Sequence, residues 1–200
     1  MIGKDIYTID NLLSTYKQNQ LEDLFISNKL PWTFFKDCVT SDDYIKKYGK
    51  DKLTPGIGCY IKAKSPEYLN ESLFNETKII PETACNAIET ECIDILNVRS
   101  FMHFPLRDEF IHEYDNPHVD VKFEHLVVLY YVNDSDGDTF IFDKTLNDTP
   151  TIKPNTKFEV IKRITPKKGR AIIFDGNRYH SSSCPKTGVR CILNFNVIIK

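Results

Sequence analysis

The period of the apolar residues changes near residue 95. Before that point the spacing is helical twice. Ile9, Leu12, Leu13, Tyr16, Leu21, Leu24 and Phe25 recur every three or four residues, and so do Ala84, Ala87, Ile88, Cys92 and Ile95. Such a period puts side chains on one helix face, so helices are predicted over 9–26 and from Pro81 to Ile95. Pro81 suits a first helical turn, and Glu82 suits the positive end of the helix dipole. The run from Pro31 through Trp32 to Val39 reads as extended. After residue 95 the pattern shortens to that of strands, predicted over 98–106, 123–133, 139–143, 157–165, 170–175, 178–183 and 188–199. Turn-forming clusters separate them, at Asp115-Asn116-Pro117, Asp134 to Asp138, Pro166 to Gly169, Asp175-Gly176-Asn177 and Pro185 to Gly188.

Helices followed by seven strands predict a mostly β (α+β) fold: a β-sandwich or jelly roll with the N-terminal helices packed on one sheet. No repeat or Gly/Ser linker divides the chain. One domain over 1–200 is therefore expected, with 1–97 as a mixed helical support and 98–200 as the β core. Residues 40–80, with Pro55, Gly56, Gly58 and Pro66, are a candidate mobile rim. The last strand carries its own orientation. Val189, Cys191, Leu193, Phe195 and Val197 alternate with Arg190, Ile192, Asn194, Asn196 and Ile198. Alternate residues point to opposite faces, so one face is apolar and suits helix packing, while Arg190 and two asparagines share the other, a cavity lining or a half-exposed surface.

Composition narrows the classes. The chain has 200 residues, 41% hydrophobic and 12% aromatic, and a net charge of −2 from 26 basic and 28 acidic residues. That length and that apolar content support a buried core and argue against disorder. No run approaches the length of a membrane span, and the first ten residues lack the apolar segment of a signal peptide, so a cytoplasmic location is expected. Near neutrality makes nucleic acid an improbable partner. The basic run Lys153, Lys157, Lys162, Arg163, Lys167, Lys168 and Arg170 is expected to be a solvated face. Six cysteines without a Cys-x-x-Cys are expected to be reduced, mostly as small core residues.

Candidate metal ligands are few. His118-Val119-Asp120 is the only His-x-Asp or His-x-Glu. By itself it carries no weight: 5 histidines and 17 aspartates in 200 residues give 5 × 17/200, about 0.4 chance matches. Its place after a turn and before a strand raises it, because residues i and i+2 of an extended segment point the same way. Downstream, His125 and His180 could supply a third donor. His125 begins a strand and reads as structural or supporting, whereas His180 follows the 175–177 turn. Two imidazoles and one carboxylate on one side of an ion form the facial arrangement of non-haem Fe(II) oxygenases. Arg190, ten residues beyond His180, has the planar fork that binds a carboxylate.

With these residues the chain resembles the Fe(II)/2-oxoglutarate-dependent oxygenases, in particular the prolyl 4-hydroxylase-like branch and its small phage-encoded members. The resemblance covers about residues 98–198. It rests on His118-x-Asp120, His180 and Arg190, on Leu129-Tyr130-Tyr131-Val132-Asn133, on Asn133 to Thr139, and on Lys167-Lys168-Gly169-Arg170-Ala171-Ile172-Ile173-Phe174. It implies a double-stranded β-helix with Fe(II) as cofactor and 2-oxoglutarate and O2 as cosubstrates. Oxidative decarboxylation to succinate and CO2 would be coupled to hydroxylation of a C–H bond. It implies His118, Asp120 and His180 as iron ligands, Arg190 and Tyr131 on the remote carboxylate of 2-oxoglutarate, and Thr139 and Asn194 as pocket-lining cosubstrate residues.

The chain departs from that branch in two places. The Gly-Gly segment after the tyrosines is Asp136-Gly137-Asp138-Thr139, and Phe104-Pro105 stands where an upstream cosubstrate tyrosine is found. The substrate therefore stays open among a peptidyl proline, a free amino acid or other small molecule, and a nucleobase. The base-acting members carry a second arginine shortly after the first, and none follows Arg190. A non-catalytic metal- or ligand-binding scaffold is the alternative class. Asp134 to Asp138 reads as a hairpin turn, since a calcium loop needs Gly and Glu where Thr139 and Thr145 stand. His103 and His112 are expected to be satisfied or solvent-facing, Arg178 is the reserve for Arg190, and Trp32 is expected in the core or at the pocket rim.

Overall fold

The alternation in the last hundred residues becomes two antiparallel sheets. The computed structural model describes residues 5–27, 29–38, 54–64, 67–107, 113–153 and 155–200. The larger sheet runs in the order β1 (Tyr7–Ile9), β9 (Ala171–Asp175), β6 (Leu126–Tyr131), β11 (Arg190–Ile199), β5 (Cys92–His103), β3 (Gly56–Lys64) and β2 (Thr33–Phe35), with β4 (Glu67–Leu69) also on β3. The smaller sheet is β10 (Arg178–Ser182), β7 (Thr139–Thr145) and β8 (Val160–Ile164). This is the mostly β, jelly-roll architecture that the strand pattern predicts.

The two faces of β6 explain why its sequence is an unbroken apolar run. Val127, Leu129 and Tyr131 pack with Ile141 and Ile164 of the small sheet and with Ile172, Phe174 and Ile192. Leu126, Val128 and Tyr130 face the other way, against α1 (Thr15–Phe25), α2 (Glu71–Thr77) and α3 (Ile79–Ala87) through Leu21, Phe25, Leu73, Ile80 and Ala84. A strand covered on both faces has no polar face to alternate. On β11 the division is the expected one. Cys191, Leu193, Phe195 and Val197 join the helix-side core, while Arg190, Ile192 and Asn194 line a pocket between the sheets.

The N-terminal half differs from its periodicity. The first helix starts at Thr15, capped by Ser14, and buries Gln18, Leu21 and Phe25. Ile9 belongs to β1, paired with Ala171. The helix around Pro81 ends at Ala87, and Cys92 and Ile95 begin β5. The break is a Schellman closure: Glu89 takes φ +58°, Glu89 N–H bonds Asn86 O, and Thr90 N–H bonds Cys85 O. Glu stands where Gly is usual, so the sequence carries no stop signal there. The expected rim is partly regular structure, since β3, β4 and α2 occupy 56–64, 67–69 and 71–77; residues 39–53 and His112 lie outside the described residues.

The basic run keeps Lys153, Lys157, Arg163 and Lys167 exposed, as a solvated face requires, while Lys162, Lys168 and Arg170 are half-buried. Arg170 grips Asp10 through Nε and Nη2 at 2.6 and 3.0 Å, Lys168 pairs with Glu22, Arg163 pairs with Asp138, and Lys162 Nζ donates to Ile6 O at 2.8 Å. The contacts to Asp10, Glu22 and Ile6 pin the N-terminal segment onto the β core. The six cysteines are free thiols, and Cys59, Cys85 and Cys191 are buried. No helix among the described residues is long and apolar enough to cross a membrane.

Candidate metal centre

The site begins at the open edge of the small sheet. His118 joins that edge by a single rung, with His118 N–H on His180 O and His180 N–H on His118 O, both at 3.0 Å. Their rings lie 4.6 Å apart. Each Nδ1 faces a main-chain carbonyl two residues back, Asn116 O for His118 and Arg178 O for His180, both at 3.1 Å. A carbonyl only accepts, so each Nδ1 carries the proton and each Nε2 keeps its lone pair, the tautomer of a metal ligand.

Both Nε2 atoms stand 3.9 Å from the fully buried carboxylate of Asp120. Donor atoms of the three residues lie within 4.8 Å of one another. His180 Nε2 is buried with no hydrogen-bond partner among the described residues. An orphaned imidazole lone pair aimed at a carboxylate suits an ion between them. Two imidazoles with one carboxylate match a borderline dication.

Asp120 is oriented by three donors. Asn194 Nδ2 and Asn196 Nδ2 reach Oδ2 at 3.0 and 2.9 Å, and Arg99 Nη2 reaches Oδ1. Burial pushes its pKa up, but Arg99, the two imidazoles and Asn196 outweigh that and hold the carboxyl well below the ordinary value. Burial lowers the pKa of His180 to about 4, helped by His118, and lowers that of His118 as well. Near neutral pH all three donors are in metal-binding form.

A pocket extends from these residues to Arg190. Arg190 is buried, donating from Nε to Gly137 O at 2.8 Å and from Nη2 to Thr139 Oγ1 at 2.9 Å. Tyr131 OH donates to the same Thr139 oxygen at 2.7 Å, with the Arg190 guanidinium 5.9 Å above the Tyr131 ring. Burial raises the Tyr131 phenol to about 12, which keeps it a donor. Thr139, Arg190 and Asn194 line the pocket, and Tyr131 lies behind Thr139. Asn194 stands apart from Arg190, because its amide nitrogen serves Asp120; its Oδ1 is buried without a partner.

The other histidines among the described residues, His103 and His125, separate cleanly. His125 packs over Gly176, with Nδ1 2.7 Å from Phe123 O. Arg178, the reserve cation, is buried and spent on Phe142 O and Asp143 O. His103 corrects the expectation of a satisfied or exposed ring. It is 4% exposed, lines the pocket beside Arg190, its partner in register, and neither ring nitrogen has a partner among the described residues. Burial, then Arg190, lowers its pKa to about 3, so the ring is neutral. Sequence reasoning also missed Arg99, and it placed Asn196 on the polar face of the last strand without its bond to Asp120. Arg99, Phe101 and His103 alternate along β5 opposite Asn194, Ile192 and Arg190. The alternation was readable; the register that brings them to the site was not.

No family model matches the chain, and no curated protein matches it. Solved structures do. A viral collagen prolyl hydroxylase from Paramecium bursaria Chlorella virus-1, in complex with 2-oxoglutarate, aligns over 98% of this chain and 96% of its own with TM-score 0.52 and 14% identity. A Trichoplax adhaerens prolyl hydroxylase, bound to a hypoxia-inducible factor peptide fragment, aligns over 98% and 84% with TM-score 0.59 and 12% identity. The epimerase SnoN of nogalamycin biosynthesis aligns over 96% and 78% with TM-score 0.62 and 9% identity. The protein therefore has the fold of the 2-oxoglutarate/Fe(II) oxygenases, prolyl hydroxylases among them. Within that fold the His118, Asp120 and His180 group can hold a metal ion.

Proposed function

We propose that this protein is an Fe(II)- and 2-oxoglutarate-dependent dioxygenase that hydroxylates a C–H bond of a prolyl, other peptidyl or amino-acid substrate. One observation carries the reading. Two imidazole lone pairs and a carboxylate converge at one end of a pocket whose other end holds a buried arginine fixed by Gly137 and Thr139. That pairs a metal-binding end with a carboxylate-binding end.

His118, Asp120 and His180 would hold iron. Bound ferrous iron would supply activation of dioxygen and of the 2-oxo acid, yielding succinate, CO2 and a hydroxylated product. The residues of the chain do the rest. Arg190 neutralises the remote carboxylate of 2-oxoglutarate, and Thr139, oriented by Tyr131, fixes the guanidinium plane. Neutral His103 offers one donor and one acceptor beside Arg190. Leu129, Phe101 and Ile192 make the remaining wall apolar and keep water out. Asn194 and Asn196 hold the Asp120 carboxylate in one orientation. Peptide substrates gain support from the Trichoplax neighbour and its bound peptide. Nucleic acid does not, because the net charge is −2 and Arg170, Lys168 and Arg163 of the basic run already pair with Asp10, Glu22 and Asp138.

The test is an anaerobic titration of the metal-free protein with Fe(II) and then 2-oxoglutarate, followed by the visible charge-transfer band of a chelated 2-oxo acid. The band is expected to vanish in His180→Ala and to need more 2-oxoglutarate in Arg190→Ala. A folded protein that gives no band would reduce the site to a binding scaffold.

A further inference from the structure

The pocket holds a second arginine that the cosubstrate does not require. Arg99 lies on β5 directly opposite Asn194 and Tyr60. Its side chain is 25% exposed, and its single hydrogen bond among the described residues runs from Nη2 to Asp120 Oδ1. Nε is buried without a partner. A guanidinium carries five N–H donors in a fixed fork, so most of this one is uncommitted.

Its surroundings hold it for an incoming group. The guanidinium carbon lies 5.5 Å from the Phe101 ring centroid, and Phe101 meets Phe35 edge-on at 6.0 Å. Phe35 in turn meets Tyr60 at 6.1 Å, and Tyr60 is 45% exposed. These rings can lie over β3 because Gly58 stands beneath them: a Cβ there would meet Phe35 and Phe101 at 2.8 and 2.9 Å. The result is a cation at the metal end of the pocket, bordered by an aromatic surface.

Charge decides what the cation is for. Without metal, Asp120 is its counterion. In the dioxygenase reading, on which this inference rests, Asp120 gives its charge to a dication. Arg190 takes the remote carboxylate of 2-oxoglutarate, and the other end of that molecule goes to the metal. Arg99 is then a half-buried cation beside a dication with its ion pair weakened, and an anion brought by the substrate restores the balance.

We propose that Arg99 anchors a carboxylate of the primary substrate, which makes the substrate a free amino acid or another small carboxylic acid rather than an internal residue of a peptide. Because Arg99 touches a candidate metal ligand, a carboxylate seated on it lies only a few bonds from the C–H that is attacked. Phe101, Phe35 and Tyr60 cover the carbon skeleton of the acid.

The test uses the anaerobic Fe(II)–2-oxoglutarate complex of the full chain and follows the shift of its visible band as each proteinogenic amino acid, or the matching amino-acid amide, is added. At least one acid is expected to shift the band at millimolar concentration or below. Its amide should bind roughly tenfold more weakly or worse, the scale of a charge-assisted pair. Arg99→Gln should abolish that difference, and Arg99→Lys should keep part of it. Acid and amide acting equally, or no acid acting while the band is present, would overturn the proposal. So would an Arg99→Gln protein that needs more 2-oxoglutarate yet still prefers the acid, which would assign Arg99 to the cosubstrate. Failure of the band itself, before any amino acid is added, marks failure of the dioxygenase reading instead.

Discussion

His118 and His180 exchange main-chain hydrogen bonds in both directions at 3.0 Å, so two imidazoles far apart in sequence share one rung of one sheet. With Nδ1 of each ring held by a carbonyl two residues back in its own segment, neither ring needs to reorganise to present Nε2. The third donor, Asp120, owes its orientation to side chains of the opposite sheet, Arg99, Asn194 and Asn196. The centre is thus built across the gap between the sheets, and its integrity depends on their packing.

That arrangement predicts the behaviour of Asp120→Asn. The carboxylate balances Arg99 in the metal-free protein, and its amide removes that charge while turning an NH2 group toward the donors of Asn194 and Asn196 or toward Arg99. Chelator-treated Asp120→Asn is expected to be less stable than the parent by about 2–4 kcal/mol in urea unfolding. Divalent metal should then no longer raise its melting temperature. A variant as stable as the parent would mean that Arg99 is balanced elsewhere.

Gly137 predicts an effect confined to the cosubstrate end. Its carbonyl accepts from Arg190 Nε, and a Cβ on it would meet Ser183 O at 2.7 Å, Pro185 N at 2.9 Å and Arg190 Cδ at 3.0 Å. Two of those three contacts are backbone and cannot yield cheaply. Gly137→Ala should therefore displace the guanidinium and raise the Kd for 2-oxoglutarate by roughly tenfold, a loss of about one charge-assisted bond. Calorimetric titration with Mn(II) should give an unchanged metal affinity. The chain departs from a Gly-Gly pattern here, and the glycine it keeps is the one that Arg190 leans on.

Thr139 is the joint between two predicted site residues. Its hydroxyl oxygen accepts from Tyr131 OH and from Arg190 Nη2, both buried. Thr139→Val keeps the volume and orphans two donors, at a cost of roughly 1–3 kcal/mol for each donor left unsatisfied. The double variant Thr139→Val, Tyr131→Phe removes one of those orphans, so it should recover part of the lost stability in thermal unfolding. It should not recover 2-oxoglutarate affinity, because Arg190 still lacks its partner. Strict additivity of the two changes would contradict a shared network.

What was legible in the sequence follows from which interactions are local. The strands from Val98 onward declare themselves as short apolar or alternating runs between turn clusters, and the apolar set Cys191, Leu193, Phe195 and Val197 packs as the alternation of the last strand requires. His118 and Asp120 are two residues apart on extended chain, so their convergence needs no tertiary knowledge. The end of α3 was hidden because Ile88, Cys92 and Ile95 continue a helical spacing past a Glu89 that adopts a left-handed conformation. Arg99 and His103 were hidden because only the pairing of β5 with β11 brings them beside Asn194 and Arg190. Loop closure over such a separation leaves no mark in a local window.

His103 and His180 together predict an acid-labile metal-free protein. Both rings are buried and neutral, with pKa lowered from 6.5 to about 3 for His103 and about 4 for His180. In the unfolded chain each titrates near 6.5, so below that pH the unfolded state binds more protons than the folded one. Stability is then full above about pH 6.5 and is lost as pH falls toward 4 and then 3, at roughly 1.4 kcal/mol per pH unit for each group. Chelator-treated protein should show a melting temperature that is flat above this range and falls steadily below it. His103 has no hydrogen-bond partner among the described residues to orphan. His103→Leu should accordingly raise the melting temperature at neutral pH, since an unpartnered buried imidazole costs free energy, and should make the acid limb shallower. The same variant should bind 2-oxoglutarate less tightly. Stability gained where binding is lost would mean that this imidazole is kept for a ligand and not for the fold.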